Sequence, residues 1–536
     1  MLVGYVSDER YVALPDVLLE FLDSRGGSWE ARSRASGAVH VDLPSGDYRV
    51  VLQKPGYGAK FSHITVPLAE PHHFRMLTDG LSGYMWPKWV RAGECSEFRV
   101  HSVEPYKLEL WRYGWEPEFI QSLGCHDEHG PRATMQVVPD GDFTRTGAKW
   151  NETGYKNSVH SQHVPGPERS GLYYFRAFTA GTQAGRPVPP MQFSFPWIVA
   201  PAKPAAPLAV LASNITWNAY NSFGGRSNYI HADGFPPTPT VNSRVELKRY
   251  NDAGHFTWGA DEYPPLSFDR PEPFNHIDFH EKITDPIEGR QACHLAPAEW
   301  RLLGWLEREG FAYDYYAETQ LDSGVLDLTK YRALITAVHP EYWTRRMYDT
   351  VKQWVFERGG KLLYLGGNGL NCEVELRPDG SVIHHNGKLR GLDVEGLGGK
   401  ESRLHIRLES EANLLGVVFT PAGAMTGAPY RVVDEKFFEG TGLKVGDVFG
   451  EKCLHQRCPG GASGHETDKV SPSSPKNVRI LAKGLNPDDG GAEMLLFDTP
   501  SGGRVFSAGS INYVASLPVD EFVSRITAKV LREFLA

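Results

Sequence analysis

Through the first two hundred residues, apolar and polar positions alternate with a period of two, interrupted at short intervals by turn residues. The stretch "AVHVDLPSGDYRVVLQKPGY" shows the pattern. Alternation puts every second side chain on one face of a strand, so residues 1–77 are expected to form a small antiparallel β-sandwich. The same rhythm, richer in aromatics, runs through "GYMWPKWVRAGECSEFRVHS", "GLYYFRAFTAG" and "FSFPWIVAP". It predicts a second, immunoglobulin-like sandwich over 78–200. The Pro/Ala stretch "APAKPAAP" supplies a stiff linker at 201–207.

Beyond the linker the period changes. "LAVLAS" (208–213) reads as a buried strand, and "PAEWRLLGWLEREGF" reads as a helix opened by Pro297. "AYDYYAE" and "YRALITAV" are further strands. Met347, Val351, Trp354 and Val355 then fall on one stripe of a helix over about 344–358, stopped by Gly359 and Gly360 ahead of the strand "KLLYLGGNG". Strands alternating with helices predict an α/β domain over 208–536, with a mostly parallel sheet covered on both faces. Its rhythm is glutamine-amidotransferase-like. Open sheets of this kind bind ligands beyond the carboxyl ends of their strands. Three polar motifs fall there: "SNITWNAYNSFGG", "HPEYW" and "GGNG".

Composition narrows the function classes. Hydrophobic residues make up 41% and charged residues 23% of 536, values of a folded globular chain in several domains. A net charge of -9 with no basic face argues against a nucleic-acid partner. No apolar run reaches the roughly 18 residues of a membrane span, and "MLVGYVSDERYVALPD" has no secretory signal, so a cytoplasmic, membrane-free protein is expected. Six cysteines in a chain of this length read as reduced structural thiols. Cys453, His455 and Cys458 could form half of a zinc site, but no second pair accompanies them.

Each candidate for chemistry also has an ordinary structural reading. His339 and Glu341 could simply lead into the helix that follows, where a carboxylate meets the positive end of the dipole. Tyr220 could be a packed ring, although Asn218, Asn221, Ser222, Gly224 and Gly225 surround it with a polar, tightly turning segment. Asn368 could be a left-handed loop residue or an amide donor to a substrate oxygen. No nucleophile elbow, HExxH or phosphate-binding loop occurs, and Cys372 lacks the setting of a nucleophile. Hydrolysis would then fall to a metal-bound water.

"AYNSFGG", "LSFDRP", "AEWRLLGWLEREGFAYDYYAE", "HPEYWT", "GGKLLYLGGNG" and "GASGHETDK", together with "WVRAGECSEFRVHSVEPYKLELWRYGW", resemble the catalytic large subunit of N,N-dimethylformamidase over most of residues 80–536. The resemblance implies an iron-dependent hydrolase of a small amide with a mononuclear, ferric site. Two tyrosines and one glutamate would hold the metal: Tyr220, Glu341 and a second tyrosine shortly before "SFDRP", which points to Tyr263, with Tyr250 and Tyr229 as alternatives. His339 would stand behind the ligands, Asn368 would line the pocket, and Glu466 would transfer protons. Phenolate and carboxylate oxygens are hard anionic donors suited to such an ion. The family also implies an oligomer and a small accessory subunit; the chain is short for the large subunit, which leaves a urea or another small amide as substrate. A binding protein on the same fold and an iron oxygenase are the competing classes, the latter disfavoured because no two-histidine, one-carboxylate triad is visible.

Overall fold

The computed structural model describes residues 1–126, 135–150, 162–183, 186–187, 189–241, 263–289, 291–386 and 399–536. The first body pairs a three-stranded sheet (Leu2–Ser7, Ala38–His40, His72–Arg75) with a larger sheet built on Leu18–Asp23, Ser28–Arg32, Gly46–Lys54 and Gly58–Val66. Strict alternation of buried and exposed residues along the last strand sends Ile64 and Val66 into a core with Val3, Phe21, Val50 and Phe74. Met135–Gln136, from the next body in sequence, adds a parallel edge strand to this sheet, and Asp140 pairs with the buried Lys60 amine at 2.5 Å.

The second body is a three-stranded sheet (Leu81–Trp86, Cys95–Ser102, His163–Pro165) facing a five-stranded one. The larger sheet contains Tyr106–Tyr113, Gly171–Thr179 and Gln192–Ala200, and the aromatic residues Phe98, Phe175, Phe195 and Trp197 fill the space between the sheets.

The third body is organised on a nine-stranded sheet. Asp314–Ala317, Leu208–Ala212, Ala333–Val338, Lys361–Gly366 and Arg504–Ser507 follow one another in parallel. Glu493–Asp498, Arg479–Gly484, Tyr430–Val432 and Val448–Phe449 continue it antiparallel. The sheet is therefore mixed, not mostly parallel, and the strand order alone does not mark it as glutamine-amidotransferase-like. The reason is connection length: the link from Asp498 to Arg504 is a tight turn, and a parallel return needs a crossover of about a dozen residues or more.

The helix Arg345–Arg358 is capped by Thr344, whose side-chain oxygen accepts from the Met347 amide, and stops at Gly359 in the left-handed conformation (φ 76°). Met347, Val351, Trp354 and Val355 are its buried stripe. No helix among the described residues is long and apolar enough to cross a membrane.

Candidate functional site

Three neighbouring parallel strands end side by side at Ala212, Val338 and Gly366, and the candidate residues gather beyond these ends. After Ala212 the chain forms a short buried helix, Asn214–Tyr220, where a loop was expected; Asn218 lies inside it and Tyr220 ends it. After Val338 the backbone turns abruptly. Val338 has φ +62°, a conformation that costs a β-branched residue about 1–3 kcal/mol and tends to accumulate where function requires it. The turn buries His339 and Glu341, and the Glu341 amide donates to Thr216 Oγ1 at 3.1 Å. Glu341 does not cap the next helix, because Tyr342–Trp343 first pairs with Cys372–Glu373 and Thr344 takes the cap.

The Glu341 carboxylate meets two phenols. The Tyr220 hydroxyl donates to it at 3.0 Å, and the Tyr229 hydroxyl lies 2.9 and 3.1 Å from its two oxygens. Tyr229 is also 2.8 Å from the Tyr220 hydroxyl and 2.5 Å from that of Tyr342. The tyrosine that joins Tyr220 at the carboxylate is thus Tyr229 rather than Tyr263. Tyr263 is buried ahead of Pro264 and Pro265, whose carbonyls accept from Arg226. Tyr250 lies outside the described residues. Tyr229 reaches the site because the chain folds back after Tyr220: the Asn228 amide donates to the Ala219 carbonyl, and the two tyrosine rings lie 4.3 Å apart.

On the other side of Glu341, His339 Nε2 lies 3.4 Å from a Glu341 oxygen and 3.2 Å from a Glu466 oxygen. Asn368 Nδ2 donates to Glu466 at 2.9 Å. Asn368 is left-handed (φ +49°), held by its own amide donating to Asp468 and by Asn371 donating to its side-chain oxygen. Both proposed roles, left-handed loop residue and amide donor facing the site, fit this one position. Four groups escaped sequence reasoning: Tyr342, Asp468, Arg403, whose charge favours the ionised forms of Glu341 and Tyr229, and His294, whose ring is 4.5 Å from Tyr220 and 5.2 Å from His339. Tyr342 and Asp468 each lie within two residues of a candidate; nothing in the sequence pattern marks His294 or Arg403.

The electrostatics follow from burial. Desolvation, then the Glu341 charge, raises both the Tyr220 and Tyr229 phenols well above their ordinary value. Burial also raises Glu341, against the pull of His339. For His339 burial favours the neutral ring, but Glu341 and Glu466 outweigh it and raise it. Burial opposes ionisation of Glu466, and His339 and Asn368 overcome it to hold this carboxyl below its usual range. Burial raises Asp468 to about 7.

Does the donor set suit a cation? Three phenolic protons face five close O···O approaches among Tyr220, Tyr229, Tyr342 and Glu341. Oxygens 2.8–3.1 Å apart match neighbouring corners of a coordination shell with metal–oxygen distances of about 2.0–2.2 Å. A cation among them would also reverse the cost of ionising the phenols. The residues fit a hard, oxygen-loving ion. Among the described residues no cluster of three His, Cys, Asp or Glu side chains could hold a metal, so Cys453, His455 and Cys458 do not form such a site. Burial pushes the Cys372 thiol up to about 12, unsuited to a nucleophile.

The segment between the two tyrosines is held from outside its own domain. The Gly224 amide donates to the Glu9 carbonyl at 2.7 Å, and Arg75 donates to the Gly224 carbonyl at 2.6 Å. Gly224 and Gly225 have φ +99° and +90°, and a Cβ on them would lie 2.2 Å from Thr144 and 2.4 Å from Tyr11. The close approach these glycines permit is therefore to the first sandwich and the 143–146 turn, not to a ligand. Arg75 is fully buried beneath Tyr11, Phe143 and Phe235. Arg75→Ala is expected to cost about 2–4 kcal/mol through the cavity and the orphaned carbonyl. Thermal unfolding and amide exchange at Gly224 measure it; an unchanged midpoint and unchanged exchange would show that the clamp is passive.

Fold and site together define a multidomain, β-rich protein with a buried set of oxygen donors at the strand ends of a mixed sheet. Residues 107–525 match the family described as N,N-dimethylformamidase beta subunit-like, C-terminal, and the chain belongs to that family. It is 26% identical over 283 residues to the N,N-dimethylformamidase beta subunit of Alcaligenes sp, and 27% identical over 283 residues to that of Paracoccus aminophilus. Each match spans 45% of this chain and only 37% of the relative. Among solved structures, β-galactosidase from Bacillus circulans sp. alkalophilus matches 43% of this chain and 27% of its own at 14% identity, with a TM-score of 0.26, too slight to bear on the argument.

Proposed function

We propose that this chain is an iron-dependent amidohydrolase that cleaves the C–N bond of a small N-substituted amide. The carrying observation is the convergence of Tyr220, Tyr229 and the Glu341 carboxylate within 2.8–3.1 Å of one another. Tyr220, Tyr229 and Glu341 would hold the ion. A ferric ion bound there supplies Lewis acidity toward a carbonyl and a water.

The remaining work belongs to the chain. Glu466, ionised and beside His339, accepts the proton as water adds to the amide carbon. It returns that proton to the nitrogen as the C–N bond breaks, so water and amide become a carboxylic acid and an amine. His339 keeps the two carboxylates apart and charged. Asn368 orients Glu466 through its amide and leaves its second N–H for the substrate. The relatives are named as β subunits, and assembly with further copies or a small subunit belongs to this proposal.

The test is metal analysis and a visible spectrum of the purified protein, with release of amine measured across formamides, acetamides and ureas. Iron and a phenolate-to-iron absorption band are expected, both reduced in Tyr229→Phe and retained in Tyr263→Phe. A colourless protein that hydrolyses no amide would defeat the proposal. Loss of the band only in Tyr263→Phe would reassign the second tyrosine.

A further inference from the structure

A cavity of about 560 Å³ lies where the two sandwiches meet the segment following Tyr220. The sandwiches contribute Leu77, Leu81, Trp150 and Phe193 to its walls, and the third body contributes Phe223, Ile230 and Phe274. Its volume is that of a small-molecule site, and its lining is predominantly apolar and aromatic as such sites are, with Glu9, Arg10 and Asp79 also on it.

The cavity is contiguous in chain with the phenols. Phe223 follows Tyr220 by three residues, Ile230 directly follows Tyr229, and Gln291, another wall residue, precedes His294 by three. At 3.8 Å between consecutive Cα atoms, the Cα of each of these wall residues lies within about 11 Å of the Cα of Tyr220, Tyr229 or His294. One segment thus carries both phenols and forms one wall of the cavity.

The opposite wall is not wholly apolar. Ser82 and His101 are direct partners across two antiparallel strands, and both line the cavity. Ser82 Oγ and His101 Nε2 are buried and have no hydrogen-bond partner among the described residues. Burial lowers His101 to about 4, so its ring is neutral and Nε2 is free to act as a neutral donor or acceptor. Unpaired polar atoms in an apolar wall are costly unless a ligand satisfies them.

We propose that this cavity receives the N-substituent of the substrate, an aromatic or branched alkyl group, with Ser82 and His101 placed to bind a polar atom where that group carries one. This rests on the amidohydrolase reading and deepens it: the preferred amide is bulkier on nitrogen than N,N-dimethylformamide, whose two methyl groups leave the cavity unfilled.

The test uses N-benzylformamide and N,N-dimethylformamide with this 536-residue chain, its Leu81→Trp variant, and Ser82→Leu as a second, smaller filling. Hydrolysis is followed by amine release, and binding of N-benzylformamide by calorimetry on metal-stripped protein. The parent is expected to prefer N-benzylformamide in kcat/KM. Either filling should lower that preference, and the affinity of the stripped protein, by roughly tenfold or more. An unchanged preference and affinity in both variants would overturn the inference, as would a parent with no affinity for N-benzylformamide. Binding that the fillings weaken, in a protein that hydrolyses neither amide, would keep the cavity as a site for aromatic amides and overturn the hydrolase reading instead.

Discussion

Glu341→Gln is expected to abolish amide hydrolysis and remove most bound iron while leaving the fold in place. The substitution preserves shape and exchanges an anionic donor for a neutral amide oxygen, which binds a hard cation far less well. The surroundings sharpen the expectation. Tyr220 and Tyr229 both approach the carboxylate, and burial opposes ionisation of either phenol, so only a bound cation favours their anionic form, and weaker binding of the ion in Glu341→Gln also weakens the two phenols as ligands. A carboxylate that served only to satisfy two hydroxyls would behave differently: Gln would still accept one of them, at a cost of about 1–3 kcal/mol in stability and no change in metal. Iron content by elemental analysis, taken with thermal unfolding, separates the outcomes. Equal iron and activity in variant and parent would remove Glu341 from the mechanism.

Glu466→Gln is expected to lower kcat by about 10²–10⁴ while iron content and the visible band stay near those of the parent, because the residue moves a proton and does not hold the ion. Its side chain is the most exposed of the acidic trio it forms with Glu341 and Asp468, at 14%, so water can reach it. Gln at this position still accepts from Asn368 but can no longer take up the water proton. Loss of iron together with activity would show that Glu466 is a ligand, and the division of labour between the two glutamates would then be wrong.

Much of this architecture was legible in the chain. Period-two alternation located the strands of both sandwiches, and the stripe Met347, Val351, Trp354, Val355 located the helix after the site. Both patterns are local, set by how side chains project from a strand or helix. The strand-end rule brought Tyr220, Glu341 and Asn368 to one edge because parallel strands joined by crossovers must all end on the same side. Glu466 entered only through resemblance: it lies 98 residues beyond Asn368, and no local pattern predicts their hydrogen bond.

The sequence by itself determined where apolar faces change period, where the helices Ala296–Arg308 and Arg345–Arg358 run, and which polar groups sit at strand ends, since these depend on neighbours within a few residues. Only the tertiary structure decided that Tyr229 rather than Tyr263 meets Glu341, that the sheet turns antiparallel after Arg504–Ser507, and that the first sandwich grips Gly224 through Glu9 and Arg75. Those outcomes rest on contacts between residues far apart in the chain, 149 positions in the case of Arg75 and Gly224 and more for Glu9 and Gly224. Such contacts form by burial of whatever surfaces the fold brings together, and burial carries no periodic trace along the chain.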